Sequence, residues 1–351
     1  MKRDYGIDLL KVVAMLMVVM LHIMGRGGVN EACAVNTHSV RYLIEQILYA
    51  FCVPAVDCFV LATGYIMSRH VFKYSRIVKL WGEVVFYSFC MTVVAAVFCP
   101  WVPITWRDWI NVAFPVATNQ YWFVTMYVAL FFTMPFLNHL LNTLSERDLK
   151  IMLASGFVLF SLYPSFAAAD LFVLHGGYSY LWFMYLYLVA GYIAGHRDRF
   201  DVKLSTLVVG LVVLPVLSFA LQVVNSQFNK RFGMSFGLWG CYSSPEVFAQ
   251  AVVMLLLFSR IRISAAWQQR MVCFAASGVF SVYVLHSNSI FRKMVCWNGR
   301  FAPLADLGIP GMLAGIFGFA VAIFISCILI DWFRRRISAM LVRQFKMRFA
   351  K

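Results

Sequence analysis

The chain has 351 residues, of which 62% are apolar and 13% are charged. Soluble domains contain about 45–50% apolar and about 25% charged residues, so this composition excludes a water-soluble globular protein. The formal net charge is +15, from 30 Lys and Arg residues and 15 Asp and Glu residues. In a membrane protein a basic excess first reports topology, so we expect no nucleic-acid partner.

Separated apolar blocks run along the whole chain, each close to the length of about 20 residues that crosses about 30 Å of hydrocarbon. Charges or clusters of Gly, Pro and Asn bound these blocks. The pattern predicts an all-α, polytopic transmembrane bundle of about ten helices. The predicted spans are Ile7–Met24, Ile44–Met67, Val78–Cys99, Tyr121–Leu141, Leu149–Phe166, Tyr178–Gly195, Leu204–Val224, Pro245–Phe258, Met271–Phe291 and Leu307–Ile330.

Basic residues are distributed unequally over the predicted loops. The two terminal segments and the loops on their side hold 21 Lys and Arg residues when Lys79 and Lys150, at the starts of their spans, are included; the other loops hold 8, and Lys11 lies inside the first span. The positive-inside rule then places both termini in the cytoplasm of a multi-pass cell-membrane protein. A basic tail, about residues 331–351, is expected to contact anionic headgroups of the membrane lipids. No loop is long enough for a soluble domain, so residues 1–351 are predicted to form one transmembrane domain.

The nine Cys residues are scattered along the chain without paired CxxC spacing. This spacing indicates neither a zinc site nor a redox dithiol, and we expect no metal and no permanently bound cofactor. Four Cys residues fall near the predicted outer face, and whether any of them form a disulfide stays open: Cys33, Cys99, Cys241 and Cys296.

Three polar residues interrupt the apolar first span: Asp8, Lys11 and His22. At 100° per residue, Lys11 and His22 share one helix face and lie about 16 Å apart along the axis. Asp8 lies one turn before Lys11 and can fix its ammonium group. One alternative is that Lys11 snorkels to the headgroups and His22 lies at the opposite interface. The functional interpretation is a cation near the cytoplasm aligned with a titratable base deeper in the membrane.

A long anionic cosubstrate such as acyl-CoA suits this geometry, with its phosphates on the cation and its reactive end at the His. A neutral His, whose ordinary pKa is about 6.5, can accept a proton from an attacking hydroxyl. Four cations lie between Ser68 and Lys79, and Arg76 and Lys79 are one helical turn apart. Such a pair is a reasonable phosphate clamp, although a positive-inside loop without a ligand explains the same charges.

The first span resembles the first helix of the acyltransferase family three membrane proteins, whose signature is Arg or Lys, ten residues and then His. The matching residues here are Tyr5–Ala14, which include Lys11, followed by His22. The segment Thr63-Gly64-Tyr65 is similar to the family's Ser-Gly-Tyr at the end of the second helix.

Further blocks extend the resemblance over the whole chain. The family's basic pair at the start of the third helix is similar to Arg76 and Lys79. Its Trp-Phe-Leu fourth helix is similar to Tyr121–Tyr127 followed by Pro135, and its Tyr-x-x-His is similar to Tyr283–His286. The chain departs in three places: Lys11 and Lys79 stand where Arg is common, and Thr63 stands for Ser. Lys for Arg weakens bidentate phosphate binding.

The resemblance implies O-acylation of a cell-surface or lipid-linked glycan. The acyl group, acetyl by default and succinyl as an alternative, would come from cytoplasmic acyl-CoA as a cosubstrate. His22 would be the general base, and Lys11, Arg76 and Lys79 would bind the acyl donor.

Three residues are candidates for the outer, acceptor side of the site. His286 lies near the outer end of the ninth span, where it can face His22 or simply lie at the interface. Trp122 and Asn119 suit stacking on and hydrogen bonding to a sugar, whereas an aromatic belt explains Trp122 equally well. Asp57, midway through the second span, is expected to pair inside the bundle with Lys11 or a polar side chain.

A second hypothesis is a transporter or flippase of a lipid-linked glycan or of the acyl group. It treats the intramembrane charges, Asp57 included, as a proton or substrate path. The sequence shows no inverted repeat and no matched pair of Gly- or Pro-broken helices, which such transporters commonly have.

Two short motifs are set aside. His196 and Asp201 have the spacing of a glycerolipid acyltransferase motif, but they lie in a short charged loop without the domain that this chemistry needs. Gly25-Arg26-Gly27-Gly28 follows a membrane span and does not join a strand to a helix, so it is not a phosphate-binding loop.

Overall fold

The computed structural model describes residues 3–167, 170–233 and 237–349. Within these ranges the chain is helical and has no strand. Eight helical segments are long and apolar enough to cross a membrane, and two apolar helices are shorter, Tyr180–Gly195 and Pro245–Ser259. These segments coincide with the ten predicted spans, which confirms the all-α, polytopic bundle.

The α-helices, numbered in chain order, have the following bounds: α1 Tyr5–Met24, α2 Val29–Ala34, α3 Val40–Cys52, α4 Ala55–Met67, α5 Ser75–Phe98, α6 Trp106–Ala113, α7 Trp122–Thr143, α8 Glu146–Phe157, α9 Tyr163–Phe166, α10 Tyr180–Gly195, α11 Leu204–Phe232, α12 Pro245–Ser259, α13 Ala266–Ser287, α14 Ser289–Met294 and α15 Gly308–Phe349. A π-helical turn, Val158–Leu162, joins α8 to α9. We call the end of the bundle at which Tyr5 begins α1 the amino-terminal face, and the end at which Met24 completes it the opposite face.

Helix α1 is the centre of the bundle and packs against α3, α4, α12, α13 and α15. Its start is set by Asp4, whose side chain accepts a hydrogen bond from the Ile7 amide, an N-cap. The long apolar run that follows has no strong polar face, and most of its side chains are buried. A helix that is apolar all round belongs in the interior. Any polar group on α1 is therefore held inside the protein.

The second predicted span, Ile44–Met67, is confirmed as one candidate membrane span, Val40–Met67, but a break that was not predicted divides it into two helices. Helix α3 ends at Cys52 and α4 begins at Ala55. Pro54 lies at the break, because its ring and missing N–H disfavour a helix interior. Helix α4 then packs tightly on α10: a Cβ at Gly64 would lie 2.6 Å from the Tyr187 carbonyl oxygen.

The predicted end of the ninth span, Phe291, was also wrong. Helix α13 ends at Ser287, and the Asn288 side chain accepts hydrogen bonds from the amides of Ile290 and Phe291 to start α14. Asn favours such a cap over a helix interior. The amide nitrogen of Asn288 also donates to the Tyr121 hydroxyl at 2.6 Å. The break places His286 in the last turn of α13.

The last helix is longer than its predicted span, Leu307–Ile330. Helix α15 runs on to Phe349, so the predicted basic tail continues the helix. The chain ends, Met1 and Lys351, lie outside the described residues.

The chain after α14 crosses the carboxyl end of α1 and is bonded to it. The Gly299 amide donates to the Arg26 carbonyl at 3.1 Å, and the Phe301 amide donates to the Gly27 carbonyl at 2.8 Å. Gly28 has φ +90°, and a Cβ there would lie 2.9 Å from the Gly299 Cα. Glycine is required at this close, left-handed turn. The end of α1 is thus fixed at the opposite face.

Candidate active site

A cavity of about 750 Å³ opens at the amino-terminal face. It lies between the start of α1, the loop that follows α4, the start of α5 and the loops that follow α10 and α12. Six cationic side chains and two carboxylates line it: Arg3, Lys11, Arg69, Arg76, Arg197 and Arg262, with Asp4 and Asp8. We call it the basic cavity. Its charge excess suits a ligand that carries several negative charges.

The two carboxylates hold part of this positive charge in place. Asp8 bridges two cations, with the Arg3 Nε at 2.6 Å and the Lys11 Nζ at 3.5 Å. The hydrogen bond that Arg3 donates to the Asp8 carboxylate raises the pKa of Arg3. Burial and the neighbouring Arg197 lower the pKa of Arg69, which records the crowding of like charges in the cavity. An anion bound there would relieve that crowding.

A second cavity, of about 440 Å³, follows α1 through the interior of the bundle. Its wall on α1 includes Lys11, Met15, Val18 and His22, which recur on one helix face. Lys11 lines both this cavity and the basic cavity. The two spaces therefore adjoin at Lys11, and the predicted alignment of Lys11 with His22 is present in the structure.

His22 lies in this second cavity and is partly exposed to it. Its Nδ1 is buried and has no hydrogen-bond partner among the described residues. The Trp297 indole nitrogen donates to the His22 carbonyl oxygen at 3.1 Å and fixes the backbone. A neutral His that borders such a cavity can take up a proton from a group bound there.

The structure places His286 beside His22, with ring centroids 5.0 Å apart and an angle of 49° between the rings. The His286 Nδ1 lies 2.6 Å from the Val282 carbonyl oxygen, so this nitrogen carries the proton. His286 is fully buried, and unlike His22 it does not line the cavity. Its position allows it to orient His22 but not to touch a ligand.

Three aromatic rings line the second cavity toward the opposite face: Trp122, Tyr178 and Tyr242. The Trp122 ring lies 4.4 Å from the Tyr178 ring and 6.0 Å from the Tyr242 ring, and it is nearly parallel to the latter at 19°. The two Tyr rings are 4.8 Å apart. We call this space the aromatic cavity. Ring faces with phenol hydroxyls suit the stacking and hydrogen bonding of a sugar.

Other predicted residues lie apart from these cavities. Lys79 and Asn119 are exposed and line neither cavity. Tyr121 is 2% exposed, and its hydroxyl is used by Asn288, so it supports the fold. Asp57 is fully buried and accepts a hydrogen bond from the Trp182 indole at 3.1 Å, and so it pairs with a polar side chain and not with Lys11.

Two groups of residues that line the cavities were not predicted from the sequence. Cations far apart in sequence complete the basic cavity, but the positive-inside rule had already accounted for them: Arg3, Arg69, Arg197 and Arg262. Arg197 belongs to the loop whose His-to-Asp spacing was set aside. Tyr178 and Tyr242 complete the aromatic cavity from two other loops. In the sequence, the one indication of a role for Tyr178 and Tyr242 is their position near helix starts at the opposite face.

Comparison with known proteins yields one family. Neither the curated proteins nor the solved structures contain a match to this chain. A family model described as an acyltransferase domain matches residues 4–331, nearly the whole chain. This match favours an enzyme over the transporter hypothesis. The chain therefore belongs to acyltransferase family 3 and is a membrane acyltransferase that transfers groups other than aminoacyl groups.

Proposed function

We propose that this acyltransferase transfers an acetyl group from cytoplasmic acetyl-CoA to a hydroxyl of a cell-surface or lipid-linked glycan, with His22 as general base. One observation carries the proposal: the cavity that contains His22 adjoins, at Lys11, a cavity lined by six cations. The donor and the acceptor can therefore meet inside the bundle from opposite faces.

The basic cavity is proposed to hold the phosphates of acyl-CoA. Arg76 and Lys11 both line it, and Lys11 stands where the cavity narrows toward the interior. With the phosphates bound there, the long, uncharged arm of the cosubstrate extends along α1 for the distance of about 16 Å between Lys11 and His22. Lys79 remains a predicted donor contact, one turn beyond Arg76 and open to solvent.

The acceptor hydroxyl is proposed to reach His22 from the aromatic cavity. As the hydroxyl oxygen attacks the thioester carbonyl carbon, the hydroxyl proton passes to an unprotonated ring nitrogen of His22. The tetrahedral intermediate then expels the CoA thiolate, which takes the proton back from His22, and the ester is formed. Asp8 fixes Lys11 for the donor, His286 orients the base, and Trp122 stacks against the acceptor sugar. Asn119 remains a candidate contact farther out.

In this mechanism the amino-terminal face lies on the cytoplasmic side of the cell membrane. The surplus of basic residues in the loops of that face supports this orientation. It also puts the basic cavity where acyl-CoA is available.

The test is release of CoA by the purified protein. Incubated in detergent with radiolabelled acetyl-CoA, the wild-type protein should release CoA and retain or transfer the label, and the release should depend on His22. CoA release that is equal in the wild type and in a His22 variant would exclude His22 as the base. If the donor is succinyl-CoA, the protein should release CoA from succinyl-CoA and not from acetyl-CoA.

A further inference from the structure

A third cavity, of about 570 Å³, lies at the opposite face beyond the end of α1. Three cationic side chains line it, Arg26, Arg292 and Lys293, against one carboxylate, Glu31. The net formal charge of the lining is thus +2. The proposed function gives this cavity no role, and the Gly25–Gly28 segment that forms part of it matches no phosphate-binding motif.

The cations in this cavity are unpaired. In the part of the chain that the structure describes, no salt bridge joins Arg26, Arg292 or Lys293 to an acidic residue. The Arg292 Nη1 is buried and also has no hydrogen-bond acceptor among those residues. Buried guanidinium donors are normally satisfied, so the arrangement points to an acceptor group supplied from outside the chain.

Topology makes the clustering more informative. Only 8 of the loop cations lie in the loops of the opposite face, and three of them converge on this cavity. The positive-inside rule explains the basic residues of the amino-terminal face but not a cluster on the other one. A bound anion explains it.

The cavity is built next to the candidate base. Gly25 and Arg26 line both this cavity and the aromatic cavity that contains His22. Trp297 lines the third cavity and also donates to the His22 carbonyl oxygen. The backbone bond from Gly299 to Arg26 holds the two loops together. A molecule can therefore place an anionic group among these cations while another part of it reaches His22.

We propose that this cavity binds a phosphate or diphosphate group of the acceptor, which is therefore a lipid-linked glycan. Two guanidinium groups and an ammonium group match the charge and the several oxygens of phosphate. The cavity lies at the end of the bundle, near the level of the lipid headgroup phosphates, where the phosphate of a lipid-linked acceptor would also lie. The proposal that a phosphate binds here rests on the cavity alone, whereas the assignment of that phosphate to the acceptor rests on the proposed function.

The native thiol of Cys296 gives a direct readout, because it lines the cavity and is the exposed one of the nine cysteines. The rate at which a maleimide alkylates Cys296 is measured in phosphatidylcholine nanodiscs with increasing inorganic pyrophosphate. Bound pyrophosphate should slow labelling about tenfold at about ten times its Kd. The Arg292→Gln/Lys293→Gln variant should require about 10- to 100-fold more pyrophosphate for the same protection.

The matched control is Lys230→Gln/Arg231→Gln, which removes two exposed cations that lie outside the cavity. It should keep the protection of the wild type. If the double variant does not fold, Lys293→Gln alone replaces it, because this single change lies at an exposed position. It should still weaken the protection of Cys296 by pyrophosphate. Equal protection in all variants, or equal protection by sulfate at the same ionic strength, would overturn the phosphate site.

A second arm separates the acceptor from bilayer lipid. In nanodiscs of phosphatidylglycerol the protection by pyrophosphate should persist. If phosphatidylglycerol alone protects Cys296, the cavity binds a membrane phospholipid and the acceptor assignment fails. CoA release that depends on His22 is measured without pyrophosphate, so failure of the proposed function and failure of this site are seen in different assays.

Discussion

At the scale of single residues, the proposed chemistry depends on His22 and on what surrounds it. His22 has an unused ring nitrogen, a buried His286 beside it and a backbone held by Trp297. The His22 side chain borders a cavity that a ligand can enter. This geometry supports the proposed role of His22 as general base.

We expect His22→Ala to abolish acyl transfer while expression and membrane insertion stay intact. Loss of a general base lowers rates by about 10²- to 10⁴-fold, and removal of a polar group from a span does not impair insertion. The measurement is CoA release from radiolabelled acetyl-CoA. His196→Ala is the control, since His196 lies outside both cavities; full activity of the His22 variant would contradict the assignment.

The proposed acyl-donor site is tested by substituting the cations of the basic cavity. Lys11→Ala, or Arg76→Ala with Lys79→Ala, should raise the KM for acyl-CoA more than it lowers kcat, because binding of phosphates far from the thioester is largely uniform binding. Arg76 lines the cavity and Lys79 does not, so Arg76→Ala alone should reproduce most of the double effect.

Steady-state kinetics with varied acyl-CoA measure this split. The exposed Arg270, outside the cavity, provides the control variant Arg270→Ala. An unchanged KM in both donor-site variants would move the donor site elsewhere.

At the scale of helices, small residues and caps decide how closely the walls of the site approach. Helix α4 forms one wall with Phe59 and Thr63, and it packs against α10 at Gly64. In a bundle within lipid, close packing at small residues replaces much of the hydrophobic driving force between helices. The fit of α4 on α10 therefore fixes the position of this wall.

Gly64→Ala should destabilise the protein by about 1–3 kcal/mol, because the new Cβ would overlap backbone that cannot rotate away. The added Cβ would lie 2.6 Å from the Tyr187 carbonyl oxygen. The matched control is Gly82→Ala in α5, where a Cβ meets nothing within 4 Å. Thermal unfolding in detergent should show a lower Tm for the first variant and an unchanged or higher Tm for the second. Equal midpoints would mean that the α4–α10 contact is looser than described.

At the scale of the whole molecule, the proposed function requires a donor from the cytoplasmic side and an acceptor from the outer side that meet within the bundle. The basic cavity opens at one face, and the phosphate site proposed here lies at the other. Acyl groups must then cross part of the bilayer before they reach an acceptor.

Sidedness is predicted from the charge count. In intact cells a membrane-impermeant maleimide should label native Cys296 and a Cys placed between Trp101 and Thr118 or at Asn119, but not a Cys placed at Arg76. Cys296→Ser provides the background for the introduced thiols. Tags at Met1 and Lys351, which lie outside the described residues, should both be cytoplasmic. Labelling at Arg76 without labelling at Asn119 would invert the orientation and end the inside-donor mechanism.

The amino-acid sequence by itself determined the helical bundle, because each span carries its own apolar length and no distant contact is needed to recognise it. It also determined the alignment of Lys11 with His22, since helical periodicity fixes which residues share a face. Local residues of the first helix also indicated the family, and the match of the family model to residues 4–331 confirmed it.

Only the tertiary structure decided which loop residues complete the cavities. Arg197 and Arg262 reach the basic cavity, and Tyr178 and Tyr242 reach the aromatic one, from segments whose separation in sequence says nothing of their separation in space. Loops carry no periodic pattern from which such contacts can be read. Whether a cation contacts a ligand or merely faces solvent depends on helix packing, which is why Arg76 enters a cavity and Lys79, one turn away, does not.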